Sequence, residues 1–92
     1  MKRNIVWTSR FKKDYKLSQK RGKDISKLDD AIMLLASVES LPAKFTDHFL
    51  VGDNYGYREC HIESDWVLVY MIIKKGETVM LIRTGTHSDI FG

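Results

Sequence analysis

The chain has 92 residues, of which 43% are hydrophobic and 29% are charged, with a formal net charge of +3 and one cysteine, Cys60. This length allows one core, so we expect residues 1–92 to form a single domain, and the composition excludes a disordered or fibrous chain. One cysteine excludes an internal disulfide and a cysteine-based metal cluster, fits a reducing compartment, and is more readily explained as a small buried hydrophobe than as a nucleophile.

The N-terminal segment predicts a strand followed by a helix. Ile5 to Trp7 is a short apolar run of the kind found in strands. It is too short for a secretory signal and has no cleavage site after it, so we expect the protein to stay in the cytoplasm. Thr8 or Ser9 can cap a helix in which Phe11 and Tyr15 share one face.

A second helix is predicted between Gly22 and Pro42. Gly22 is suited to end the first helix, and the side chain of Asp24 can cap the next one. Apolar residues then recur at helical spacing from Ile25 to Leu35, and the helix should end before Pro42.

Both predicted helices lie in the basic half of the chain. Residues 1–48 carry a net charge of +5, whereas residues 49–92 carry −2. The dense basic block from Arg10 to Lys27 would suit a phosphate-rich partner. Charge alone, however, is more often explained by a solvated helix face.

The second half of the chain predicts an antiparallel meander after a loop marked by Gly52 and Gly56. Residues 57–63 alternate, which predicts a strand that presents Tyr57, Glu59, His61 and Glu63 on one face. After a tight turn at residues 64–65, Trp66 to Ile73 reads as a central strand covered on both faces. This run is the longest apolar one, and it is far shorter than the roughly 20 residues of a membrane-spanning helix.

A hairpin turn at residues 74–77 and a last strand at residues 78–84 complete the predicted elements, and residues 86–92 are expected to form a short tail. Two amphipathic helices followed by three sequential strands predict an α+β fold. Its helices should pack on one side of a small antiparallel sheet.

Candidate acid–base groups cluster in this second half. His61 precedes the turn that contains Asp65, and His87 follows the last strand. Because that strand should pair with the strand leaving the turn, we expect these three groups to meet at one end of the sheet. His48, Glu59 and Arg83 lie nearby in the sequence. Each of these residues also has an ordinary explanation as a cap, a turn residue or a solvated side chain.

Several kinds of site are disfavoured by motif. The chain lacks a Gly-x-Ser-x-Gly elbow, a glycine-rich phosphate loop and a cysteine pair, and no two histidines lie three or four residues apart. A serine hydrolase, a nucleotide-binding protein and a zinc site are therefore not expected. No cofactor is expected either.

RNA cleavage fits these residues better. RNA supplies its own nucleophile, the 2′-hydroxyl, so the protein needs only a base, an acid and a cation for the phosphate. Imidazoles, with ordinary pKa values of about 6.5, can serve as base and acid, and Arg83 or a lysine of the basic block can serve as the cation. Such a reaction needs no metal and spares DNA. Trp66 and Phe91 could stack on a base, although Trp66 could equally cap the core.

Motifs over the whole chain resemble the YafQ branch of the RelE/ParE toxin superfamily. They are Asp47-His48-x-Leu50, Gly56-Tyr57-Arg58-x-x-His61, Asp65-Trp66, Arg83-Thr84-Gly85-Thr86-His87 and Phe91-Gly92. The stretch from Leu17 to Asp24 is similar too. The resemblance implies a toxin that cleaves mRNA in the ribosomal A site and is neutralised by a cognate antitoxin. It also implies two N-terminal helices on a compact antiparallel sheet.

The resemblance also implies roles for individual residues. The catalytic positions of the family fall on His48, His61, Asp65 and His87, and positions that support activity fall on Trp66 and Phe91. On this basis His48 is interpreted as the base and His87 as the acid, with His61 and Asp65 orienting groups or stabilising charge. Ribosomal RNA becomes the candidate target of the basic residues Lys12, Lys13, Lys16, Lys20, Arg21 and Lys23.

Two positions depart from the family pattern. Glu59 stands where the family has Asp, which moves the carboxylate by one methylene and leaves its role open. Phe49 replaces a Pro beside His48. Two alternative functions are a ParE-like gyrase poison and an RNA-binding regulatory module, and the histidines with Asp65 argue against the first.

Overall fold

The computed structural model describes residues 2–37, 41–50 and 56–92, and Gly52 of the predicted loop lies outside these ranges. In chain order the elements are β1 (Asn4–Trp7), α1 (Ser9–Lys20), α2 (Ile25–Ala36), β2 (His48–Phe49), β3 (Arg58–Glu63), β4 (Trp66–Ile73), β5 (Thr78–Gly85) and α3 (His87–Phe91). The predicted α+β class is confirmed. Within the described ranges, none of the helices has the length and apolar character needed to cross a membrane.

The five strands form one sheet in the order β1-β5-β4-β3-β2. The predicted antiparallel meander of β3, β4 and β5 is confirmed. Two outer strands extend it. β1 pairs in parallel with β5, with Asn4 opposite Thr78, and β2 is a two-residue edge strand in which His48 lies opposite Glu59.

Both long helices begin at the predicted capping residues. The Thr8 hydroxyl accepts a hydrogen bond from the Phe11 amide at 3.2 Å and donates one to the Leu81 carbonyl at 2.7 Å, which ties the start of α1 to β5. The Asp24 carboxylate accepts from the Ser26 amide at the start of α2. Gly22 follows α1 with φ +76°, a left-handed conformation that favours glycine.

The hydrophobic core lies between the two long helices and one face of the sheet. Its fully buried members from helices and strands include Phe11, Leu28, Cys60, Leu68, Tyr70 and Leu81. Burying each large apolar side chain contributes about 1.5–3 kcal/mol relative to leaving it in water. Val67 and Val69 alternate with Leu68 along β4 and are also buried, so this strand is covered on both faces as predicted.

One predicted face assignment in β3 is wrong. The pairing of β3 with β4 shifts between His61 and Glu63. After this irregularity the Glu63 carboxylate binds Lys27 Nζ of α2 at 2.9 Å, so it turns toward the helices and leaves the face that carries Glu59.

The predicted C-terminal tail is instead the short helix α3. Thr86 and Asp89 form a reciprocal capping box, in which each side chain accepts from the other residue's backbone amide. Gly85, just before it, has φ +153°, and a Cβ there would lie 2.9 Å from Asp89 Oδ2. A side chain at this positive φ would be strained, which favours glycine where the chain leaves β5 for α3.

Candidate active site

Three imidazoles surround one buried carboxylate at the end of the sheet. Glu59 is 4% exposed. Its Oε1 atom lies close to the Nε2 atom of each ring, at 3.5 Å from His48, 3.6 Å from His61 and 3.5 Å from His87. The predicted convergence of His61 and His87 is therefore present, and His48 joins them.

Strand geometry explains how the cluster forms. Glu59 and His61 are two residues apart on β3, so their side chains leave the same face. His48 on the edge strand β2 is the cross-strand partner of Glu59, which places both side chains on that face. His87, the first residue of α3, arrives from the end of β5.

Asp65 holds His87 from the turn between β3 and β4. Its Oδ1 atom accepts from the His87 backbone amide at 3.2 Å and from His87 Nδ1 at 2.9 Å. The side-chain hydrogen bond to Asp65 raises the pKa of His87 above its ordinary value. The same hydrogen bond lowers the pKa of the Asp65 carboxyl. The pair therefore favours a protonated imidazole beside an ionised carboxylate.

His48 is oriented by its own strand. Its Nδ1 atom lies 2.9 Å from the carbonyl oxygen of Phe49. A carbonyl can only accept, so Nδ1 carries a proton and the neutral ring has its lone pair on Nε2. The free lone pair thus belongs to the nitrogen that lies closest to Glu59.

His61 is the most enclosed of the three rings. Its side chain is 25% exposed, against 43% for His48 and 44% for His87. Its ring centroid lies 6.2 Å from that of His48 and 5.7 Å from that of His87. Among the described residues, its buried Nδ1 atom has no hydrogen-bond partner. His48 and His87 are therefore the more accessible rings of the three.

A network that the sequence analysis did not single out anchors the strand carrying His48. Asp47 accepts from Arg58 Nε at 3.2 Å and from Arg58 Nη2 at 3.0 Å, and the Tyr70 hydroxyl also donates to it. Burial raises the pKa of Tyr70, so the phenol remains a neutral donor. The guanidinium of Arg58 also lies 4.2 Å from the centre of the Phe49 ring. The only signal in the sequence was the place of Asp47 and Arg58 within the family motifs.

Two of the predicted site residues, Trp66 and Arg83, are engaged by other parts of the protein. Trp66 is 1% exposed in the core, and its Nε1 donates to Thr84 Oγ1 at 3.0 Å, so this ring is not accessible to a base. Arg83 Nε binds Asp14 of α1 at 2.6 Å, so its charge is already paired. Phe91, in contrast, is 52% exposed and stacks on His87 at a centroid distance of 6.0 Å.

Of the six basic residues predicted to contact ribosomal RNA, two are ion-paired and four are exposed. Arg21 binds Asp89 at 2.6 Å, and Lys23 lies 3.9 Å from Glu63, so both charges have acidic neighbours. The remaining four are exposed along α1: Lys12, Lys13, Lys16 and Lys20.

The cluster also has the donor atoms of a cation site. His48, Glu59 and His61 each offer one ligand atom, and these atoms lie within 4.8 Å of one another. Two imidazole nitrogens and a carboxylate oxygen form a set that Zn²⁺ and Cu²⁺ accept. Sequence spacing did not predict this group because its members come from two separate strands.

Comparisons with known proteins point to one family. A family model described as a bacterial toxin of type II toxin–antitoxin systems, YafQ, matches residues 3–92. The chain is 42% identical over 93 residues to the mRNA interferase toxin YafQ of Escherichia coli K12, and the match covers 100% of this chain and 99% of that protein.

Solved structures agree. The crystal structure of the E. coli DinJ–YafQ toxin–antitoxin complex contains a chain that matches with a TM-score of 0.90 at 41% identity, covering 100% of both chains. A metal-bound toxin from Helicobacter pylori matches with a TM-score of 0.90 at 38% identity, covering 99% of this chain and 100% of that one.

Proposed function

Because the chain belongs to the YafQ family of bacterial type II toxins, we propose that it is a ribosome-dependent endoribonuclease that cleaves mRNA in the A site and is neutralised by a cognate antitoxin. The E. coli relative is named an mRNA interferase toxin, and a solved relative is in complex with its antitoxin. The observation that carries the proposal is the pair of accessible imidazoles, His48 and His87, that meet at the buried carboxylate of Glu59.

The proposed reaction is an internal transesterification. A base removes the proton of the 2′-hydroxyl, whose oxygen forms a bond to the adjacent phosphorus. The bond from phosphorus to the 5′-oxygen breaks, and an acid protonates the departing oxygen. The products are a 2′,3′-cyclic phosphate and a 5′-hydroxyl. Every atom of the bond change comes from RNA and the two protein groups.

His48 is the proposed base. Its Nδ1 donates to the Phe49 carbonyl, so the Nε2 lone pair of the neutral ring is free to accept the proton of the 2′-hydroxyl. The network of Asp47, Arg58 and Tyr70 holds this edge strand in place. A fixed ring is needed because misplacement of a proton-transfer group by a small distance costs a large part of its effect.

His87 is the proposed acid. The hydrogen bond from His87 Nδ1 to Asp65 raises the pKa of this histidine, so more of it is protonated near neutral pH. Its Nε2 atom lies beside the same carboxylate oxygen as His48 Nε2, since both nitrogens are 3.5 Å from Glu59 Oε1. The carboxylate of Asp65 stabilises the imidazolium before transfer and orients the ring during it.

Glu59 and His61 are proposed as positioning and charge-stabilising groups. Glu59 is buried at the centre, so its carboxylate attracts and aligns each ring that carries a proton. His61 is then proposed to stabilise the negative charge that develops on the phosphate. His61 lies within the cluster, whereas Arg83, one alternative cation, is bound to Asp14 of α1.

The partners follow from the surface and from the relatives. Four exposed lysines of α1 give the side of the molecule that is suited to ribosomal RNA, and binding there should weaken steeply with salt. The exposed Phe91 ring beside His87 can stack on a base of the message. The H. pylori relative is described as metal-bound. In this chain the group of His48, Glu59 and His61 would hold such a cation, which the proposed reaction does not use.

The test is primer extension on a defined message in a purified translation system that keeps the Mg²⁺ its ribosomes need, with toxin that has been stripped of bound metal by EDTA and then freed of the chelator. We expect cuts within A-site codons that require ribosomes and persist with the metal-stripped toxin. A message with a 2′-deoxy sugar at the cut position should resist cleavage there, because the nucleophile is missing. Loss of cleavage by the metal-stripped toxin, with recovery when the metal is returned, would contradict metal independence. Intact message in every arm would remove the proposal, and inhibition of gyrase supercoiling would then favour the ParE-like alternative.

Changing Asp65 to asparagine should move the alkaline limb of the pH–rate profile to lower pH. The carboxylate raises the pKa of His87, so its loss lets that pKa fall and the acid form disappears at lower pH. The measurement is kcat/KM for cleavage across the pH range for both proteins. Ser64→Ala, an exposed change in the same turn, is the control and should leave the limb in place. An alkaline limb that stays put or moves up in Asp65→Asn would disprove the coupling.

A further inference from the structure

We propose that Arg21 and Asp89 are positioning residues for His87, because their ion pair holds the short helix α3 against α1. Arg21 directly follows α1, and Asp89 is the third residue of α3, two positions after His87. Neither side chain needs to touch the RNA. The positioning role rests on the proposed function, since it requires His87 to be the acid. The attachment of α3 by the ion pair does not, and it can be measured without RNA.

Contacts with other parts of the protein must hold α3 in place. It has five residues, and none of them is buried. Isolated helices of fewer than about 12 residues are marginal in water, and packing of a buried face is what usually stabilises a helix in a protein. The direction of α3, and with it the place of the His87 ring, therefore depends on polar contacts at its first turn.

Two carboxylates make these contacts. Asp65 accepts from the backbone amide of His87 and from its ring. The Asp89 carboxylate accepts from the Thr86 amide at 3.0 Å, which closes the first turn of α3 on itself. The same carboxylate accepts from Arg21, with 2.6 Å from Nη1 to Oδ2 and 3.3 Å from Nη2 to Oδ1. The bond to Arg21 therefore attaches the capped turn to the end of α1.

The geometry of this ion pair fixes direction as well as distance. One guanidinium donates through two nitrogens to both carboxylate oxygens, and such paired hydrogen bonds restrict how the two groups can rotate. The hydrogen bond from Arg21 lowers the pKa of Asp89 to about 2, so the carboxylate is ionised near neutral pH. The side chains of Arg21 and Asp89 are 42% and 26% exposed. An ion pair so exposed adds little to global stability, so its loss should affect α3 far more than the sheet.

Arg83 provides a second link between the same two helices. Its Nη2 atom donates to the backbone carbonyl of Asp89 at 3.4 Å, and its Nε atom binds Asp14 of α1 at 2.6 Å. α1 is therefore connected to α3 by two guanidiniums, of which Arg21 reaches the side chain of Asp89 and Arg83 reaches its backbone. Of the two, Arg21 can be changed without disturbing the buried carboxylate of Asp14.

Both contacts of the His87 ring depend on the orientation of this turn. Nδ1 lies 2.9 Å from Asp65 Oδ1, and Nε2 lies 3.5 Å from Glu59 Oε1. A rotation of α3 about the end of β5 would change both distances, and the bond from Arg21 to Asp89 opposes that rotation. Misplacement of a reacting group by about 1 Å can cost about a hundredfold in rate. The ion pair thus acts on the reaction through His87.

The first experiment measures the mobility of α3 by NMR relaxation of backbone amides in the protein without RNA. The His87 amide should have an order parameter near about 0.85 in the wild type and below about 0.6 in Arg21→Ala. Asp89→Asn keeps an oxygen for the Thr86 amide but loses the charge, and it should loosen the same amide. Amides of β4 should stay rigid in both variants, which shows that the sheet is intact. Lys20→Ala removes the neighbouring exposed cation and should leave the His87 amide rigid.

The second experiment separates positioning from RNA contact. Arg21→Ala should lower the single-turnover rate of cleavage on ribosomes saturated with toxin by roughly tenfold or more, and it should leave the half-saturating concentration unchanged. Lys20→Ala should instead raise that concentration, since exposed lysines contact phosphates in the proposed complex. Arg21→Lys should recover part of the rate, because lysine keeps the charge but not the paired hydrogen bonds. The double variant of Arg21→Ala and Asp89→Asn should be no slower than Arg21→Ala, because the two residues act as one pair.

Each result has a distinct meaning. An ordered His87 amide in both Arg21→Ala and Asp89→Asn overturns the attachment. A mobile amide with cleavage at the wild-type rate overturns the positioning role. A higher half-saturating concentration with an unchanged rate would make Arg21 an RNA contact and would overturn that role as well. Wild-type protein that cuts no message would count against the proposed function, and the mobility of α3 would still decide whether the ion pair holds the helix.

Discussion

Replacing His87 with alanine is expected to lower the single-turnover rate of mRNA cleavage by a factor of about 10²–10⁴, the usual contribution of a positioned acid. His87 combines access, with 44% of its side chain exposed, with a pKa raised by the hydrogen bond to Asp65. Without it the departing 5′-oxygen must take its proton from water. The rate should be measured on programmed ribosomes saturated with toxin, so that weaker binding does not contribute.

Two comparisons make this result specific. Ser88→Ala alters the next, exposed position of α3 and should cleave at the wild-type rate. His48→Ala should be as slow as His87→Ala, and the double variant should be little slower than either, because residues that act as a unit do not give additive losses. A His87→Ala protein that folds, binds ribosomes and cleaves within threefold of wild type would refute the assignment of the acid.

The second prediction with a large effect concerns protein stability and a residue outside the cluster of Glu59 and the three histidines. Asp14→Ala should lower the free energy of unfolding by about 2–4 kcal/mol. Asp14 is 8% exposed, and it accepts from Arg83 Nε at 2.6 Å and from the Thr84 amide at 3.2 Å. Its loss leaves a guanidinium unpaired and a buried backbone amide without its acceptor. Urea denaturation followed by circular dichroism measures the change.

An exposed carboxylate provides the comparison for this change. Asp30→Ala on α2 should stay within about 0.5 kcal/mol of wild type, as surface substitutions usually do. If Asp14→Ala were as mild as Asp30→Ala, the contact between α1 and β5 would contribute little. The charge of Arg83 would then be available to RNA, as the sequence first suggested.

Much of the fold was predictable because each element has its own local signal. Alternation and helical spacing gave the strands and helices of the core, and Thr8 and Asp24 marked the helix starts. Two features were not predictable in this way. β2 has only two residues and carries no pattern of its own, and the parallel partner of β1 is more than seventy positions away along the chain. The helix α3 had a signal that was overlooked, the pair Thr86 and Asp89 of its capping box.

The residue types of the candidate site could be predicted from the sequence, but the central position of Glu59 could not. The three histidines stood out because imidazoles suit proton transfer near neutral pH. Glu59 looked like a solvated strand residue. Its burial depends on the cross-strand position of His48 and on the arrival of His87 from α3, and both are tertiary facts. Burial likewise excludes Trp66 as a stacking ring. An aromatic residue at the start of a strand can face either solvent or the core, and the sequence does not distinguish the two.

The parallel pairing of β1 with β5 joins segments that lie far apart along the chain, and it has a consequence for folding during synthesis. A growing chain that has not yet delivered β5 leaves β1 without a partner, because among the described residues Asn4 to Trp7 pair with Thr78 to Leu81. The same chain also lacks His87, which α3 supplies directly after β5. The pairing of the first strand and the proposed acid therefore arrive together and late in synthesis, so under the proposed mechanism a chain still being translated lacks both.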